Sequence, residues 1–110
     1  MLALVFHAAV DAAGERAAAR VTAGEAERWA SETLARMTLA QKAGQMVCEQ
    51  IRGDYVSSTD ERFERWTALA RDYGIGGFVV YGGTPHDTAD LLNRLQKVAA
   101  VPLLMSSDFE

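Results

Sequence analysis

Three short apolar runs are set apart by long amphipathic helical stretches, and this alternation leaves the chain few possible folds. The clearest run is Gly76-Gly77-Phe78-Val79-Val80-Tyr81. Its four consecutive apolar residues, two of them β-branched, predict a strand buried on both faces. Gly82-Gly83 then marks a turn. Thr84-Pro85, with Asp87 three residues after Thr84, supplies a cap and a first-turn proline for a helix. That helix carries Leu91, Leu92, Leu95, Val98 and Ala99 on one side. Beyond it, Val101-Pro102-Leu103-Leu104-Met105 predicts a buried strand with Asp108 and Glu110 at its C-terminal tip. Upstream, Gln45–Glu49 predicts the first strand and residues 50–60 a polar loop. Thr59 or Asp60 then caps a helix reaching about Tyr73, with Phe63, Trp66, Leu69, Ala70 and Tyr73 on its apolar face and Gly74 as its stop. Helical crossovers of a dozen or more residues require parallel strands, so the fold class is α/β.

The N-terminal part reads differently. Residues 1–23 form an alanine-rich leader or extension, and residues 24–110 form the domain. Met1–Val10 is apolar like the core of a signal peptide, but no basic residues precede the run and Asp11 breaks it. Cytoplasmic and exported locations both stay open. From Gly24 a helix places Trp29, Thr33, Leu34 and Met37 on one stripe. Thr38 with Gln41 is a capping-box pattern that opens a short helix, and Gly44 ends it. Trp29 and Trp66 are expected in the core.

Composition narrows the partners. Eleven Lys and Arg against 15 Asp and Glu give a net charge of −4 with no basic patch, which argues against nucleic acid. No stretch approaches the ~20 apolar residues that span a bilayer. Cys48 is the one cysteine, so no disulfide forms within the chain, and its apolar surroundings predict a buried structural thiol.

Chemistry is expected where parallel strands end, because the C-terminal tips of such strands share one rim. The tips deliver Glu49 and Gln50, then Tyr81 and Gly82, then Asp108 and Glu110. The glycines of Gly74-Ile75-Gly76-Gly77 precede a strand, so they do not match a dinucleotide fingerprint. Gly82-Gly83 at a helix start leaves open a nucleotide-binding α/β domain as an alternative. His86 lies in that helix's first turn without a second ligand at metal spacing, and reads as a surface residue. Ser106 and Ser107 lack the elbow of a hydrolase nucleophile. No metal or cofactor site is expected.

Three segments together resemble a known family. Met37-Thr38-Leu39-Ala40-Gln41-Lys42-Ala43-Gly44-Gln45-Met46 is similar to the opening of glycoside hydrolase family 3 catalytic domains. Tyr73–Gly82 resembles that family's Ile-Gly-Gly strand, and Pro102–Glu110 its Asp-x-Glu-Gly-Gly strand. The resemblance covers about residues 25–110. It implies the N-terminal portion of a (β/α)8 barrel, about three strands of it, that is not closed. It also implies a retaining β-glycosidase acting at the non-reducing end of β-linked sugars. The Asp-Phe-Glu spelling leans toward the β-N-acetylhexosaminidase branch over the β-glucosidase branch. By the same resemblance Asp108 binds substrate hydroxyls and Glu110 supports it. The nucleophile and acid/base belong to later parts of the family's sequence, so no residue here is assigned a catalytic role. The chain is expected to be a fragment, inactive alone and marginally stable. A non-catalytic sugar-binding module sharing the scaffold is the other alternative.

Overall fold

The computed structural model describes residues 21–108. The expected leader falls almost wholly outside them, as does Glu110. The chain divides into two compact units, Met1–Arg36 and Met37–Glu110.

In the first unit α1 spans Ala23–Arg36. Thr22 caps it. Its hydroxyl accepts from the Glu25 N–H at 3.3 Å, and its own N–H donates to the Glu25 carboxylate at 2.8 Å. That backbone hydrogen bond, reinforced by the Thr22 hydroxyl, holds the Glu25 carboxyl below its usual range. No residue of α1 is buried, and Trp29 and Leu34 are half-exposed. Trp29 is therefore not a core residue. Helical periodicity defines an apolar face, but it carries no information about what covers that face.

The second unit opens with α2 (Leu39–Gly44). Thr38 and Gln41 form the expected reciprocal capping box. The unit continues through β1 (Cys48–Arg52), α3 (Glu61–Arg71), β2 (Gly77–Tyr81), α4 (Pro85–Val98) and β3 (Leu104–Ser107). Asp60 is the α3 cap and also pairs with Arg62 at 2.8 Å. The Arg62 guanidinium, followed by its backbone N–H, holds the Asp60 carboxyl below the usual carboxylate range. Gly74 ends this segment at φ +60°, a left-handed turn that residues with a Cβ rarely adopt. Thr84 caps α4 with Pro85 in its first turn.

The strands run parallel in the order β1-β2-β3, as the helical crossovers require. The fold is thus a mixed α/β unit with an open three-stranded sheet flanked by helices. Period-two alternation gives the sheet two unlike faces. Ile51, Phe78 and Val80 point to the side where Trp66 and Ala70 of α3 and Leu91 and Leu95 of α4 complete the core. Cys48, Gln50, Arg52, Leu104 and Ser106 lie on the other side and are exposed, while Val79 and Tyr81 are half-buried there.

The structure corrects five expectations. The central strand is closed on one face and only half-covered on the other. β3 starts at Leu104, not Val101, and none of its residues is fully buried. β1 is Cys48–Arg52 rather than Gln45–Glu49, because pairing with β2 sets Ile51 beside Val80 on the helix-covered face. Cys48 is exposed, not a buried thiol, because alternation from Ile51 turns it to the open face. Tyr73, expected on the α3 apolar face, lies beyond the helix and is exposed as well.

The Cys48 result is checked directly. A disulfide reagent is expected to modify the native chain within about tenfold of the rate for the denatured chain, since the exposed thiol is open to the reagent. Protection by orders of magnitude would show that this sheet face is covered.

Candidate functional site: the C-terminal rim of the sheet

Parallel strands bring Arg52, Tyr81 and the end of β3 to one rim. Each of the first two tips is closed by glycine. The Gly53 N–H donates to the Tyr81 carbonyl at 3.1 Å, and the Thr88 hydroxyl donates to the Gly53 carbonyl at 3.0 Å. Gly83, at φ +84°, sits so close that a Cβ there would collide with the Gly53 backbone. The loops after β1 and β2 are therefore locked to each other and to the first turns of α4. Val56 anchors the β1 loop further, since it is 2% exposed and belongs to the core. Arg94 braces the same loop. It donates to the Val56 carbonyl at 2.7 Å and stacks 3.9 Å from the Phe63 ring centroid.

The rim carries both charges. The Arg52 Nε donates to the Asp54 carboxylate at 2.9 Å. Its Nη2 lies over Gly82, 3.1 Å from where a Cβ on that residue would stand. Asp108 follows β3 directly and is exposed. It has no hydrogen-bond or ion-pair partner among the described residues. A cleft of about 560 Å³ opens between β3 (Met105, Ser106, Ser107), the Gly82-Gly83 turn and the start of α4 (Pro85, Thr88); Asp108 is not among its lining residues.

The structure thus places Asp108 at the strand tip and Tyr81 and Gly82 beside it, where the sequence placed them. Glu110 lies outside the described residues. Glu49 and Gln50 are not at a tip. Both sit inside β1, and Glu49 is held by Arg65 at 2.8 Å. Sequence reasoning missed Arg52, which it assigned to a loop. The available signal was Ile51, a β-branched residue followed two positions later by Gly53.

His86 is exposed, as expected, and lines a separate cleft of about 420 Å³ with Tyr55, Asp87 and Asp90. Among the described residues no group of His, Cys, Asp and Glu could hold a metal ion. No described helix is long and apolar enough to cross a membrane. The Asp87 carboxylate occupies the first turn of α4 and accepts from the Thr84 hydroxyl at 2.7 Å, where a phosphate would meet negative charge. Neither protein-family models nor curated proteins gave a match to this chain.

Proposed function

We propose that this chain is the N-terminal part of a retaining β-glycosidase of glycoside hydrolase family 3. In this reading it acts at the non-reducing end of β-linked sugars, with a β-N-acetylhexosaminidase favoured over a β-glucosidase. The observation that carries the proposal is Asp108 at the C-terminal end of β3 in a parallel sheet, on the rim it shares with Arg52 and Tyr81. The sheet then corresponds to the first strands of a (β/α)8 barrel, and its open face to the lumen side. Substrates of such barrels bind at the C-terminal tips.

An ionised carboxylate without a protein partner is suited to accept hydrogen bonds from sugar hydroxyls, because charge-assisted hydrogen bonds are the stronger kind. By the resemblance, Glu110 would support Asp108. Hydrolysis with retention needs a nucleophile and an acid/base partner flanking the bond. This reading assigns neither to a residue of the chain, so the chain binds sugar without turning it over.

The test is ligand-observed saturation-transfer NMR with methyl N-acetyl-β-D-glucosaminide and micromolar chain. Saturation transfer is expected, and Asp108→Asn is expected to weaken binding about tenfold, the scale of one hydrogen bond to a charged group. No transfer to the sugar, or equal affinity in the variant, overturns the proposal.

A further inference from the structure

We infer that Arg52 selects sugars that carry an anionic substituent, held across the rim in a row with Tyr81 and Asp108; this rests on the carbohydrate reading above. The row follows from register. Arg52 pairs with Tyr81, and Val80 pairs with Ser107, so the residue level with Tyr81 on the far side is Asp108. Two-residue alternation from Gln50 to Arg52, from Val79 to Tyr81, and from Leu104 through Ser106 to Asp108 assigns all three to the open face. Neighbouring strands lie about 4.8 Å apart, so the backbone positions of the row span about 10 Å.

The three residues offer different chemistry in sequence. Asp108 accepts from hydroxyls at one end. The half-buried Tyr81 ring gives an apolar surface in the middle. At the other end Arg52 is 68% exposed on its side chain and commits only Nε, to Asp54. Its two terminal nitrogens make no hydrogen bond among the described residues, and this planar pair matches a carboxylate in bidentate fashion. Gly82 keeps the approach open, since any side chain there would stand against the guanidinium.

The charges also fix the orientation. Asp108 repels an anion at its own end, so the acidic group of the ligand goes to Arg52. The Asp54 pair does not prevent this, because an exposed ion pair of that kind contributes little.

The experiment compares methyl β-D-glucuronide with methyl β-D-glucoside, which share a ring and differ in a carboxylate. Saturation-transfer titrations are expected to show the glucuronide binding about tenfold tighter at low salt. The preference should vanish in Arg52→Gln, persist in part in Arg52→Lys, and shrink at high salt. Circular dichroism melts of the variants confirm that each is folded. Equal binding of the two sugars overturns the Arg52 assignment and leaves the carbohydrate reading standing. A preference that survives Arg52→Gln also overturns it. Binding of neither sugar also overturns it, and the N-acetylglucosaminide titration then decides the carbohydrate reading.

Discussion

Phe78→Ala is expected to abolish the cooperative unfolding transition of the second unit at 25 °C. Phe78 is 0% exposed, on the central strand, and faces the helix side where Leu91 and Leu95 are buried. Removing a buried phenylalanine ring costs about 3–5 kcal/mol, part from lost transfer energy and part from the cavity left behind. A unit of this size holds roughly 0.05–0.15 kcal/mol per residue, or about 4–11 kcal/mol in all. Two features push it to the low end. Among the described residues its core is ten side chains, and one sheet face is largely exposed. A single truncation then removes most of the stability.

Urea titration followed by circular dichroism and by the buried Trp66 reads this out. Leu104→Ala is the control. Leu104 is one strand away but 70% exposed, so its loss is expected to shift stability by less than about 0.5 kcal/mol. Comparable losses in the two variants would mean that the sheet faces have been assigned the wrong way round.

The second large effect is expected at Gly83. Alanine there must keep φ at +84°, in the left-handed region, which costs roughly 1–2 kcal/mol. Its Cβ must also displace the Gly53 backbone, and overpacking of that kind costs about 1–3 kcal/mol more. Gly53 holds the tip of β1 to the tip of β2, so the variant is expected to lose sugar binding along with stability. Gly24→Ala provides the contrast. A Cβ there meets nothing within 4 Å, and the substitution is expected to be neutral or to stabilise by up to about 1 kcal/mol. A Gly83→Ala chain with an unchanged urea midpoint would show that the two loops are not locked together.

These expectations mark where sequence reading worked. Helix limits were legible because caps and stops are local. Thr38 with Gln41, Asp60, Gly74 and Thr84-Pro85 each satisfy or terminate backbone groups within a few residues. Parallel strand direction was legible as well, since a helical crossover permits little else. The buried stripe of α4, Leu91 and Leu95, followed from spacing alone.

Register and cover were not legible. β1 was read three residues early because its neighbourhood is apolar on both sides of Cys48. Only pairing with β2 shows that Ile51, not Val47, is the residue that needs the core. The same shift hid Arg52 among loop residues and put Glu49 and Gln50 at a tip they do not occupy. Cys48, Leu104 and Trp29 were expected to be buried because they are apolar, yet all three are exposed.

The amino-acid sequence by itself determined the alternation of helices and strands, their caps, the parallel direction and the carboxylate after the third strand. Tertiary structure alone decided which face of the sheet is closed, which residues stand level across the rim, and which loops lock together. The reason is physical. Capping and periodicity act over a few neighbouring residues, whereas register and burial are set by partners tens of residues away in the chain.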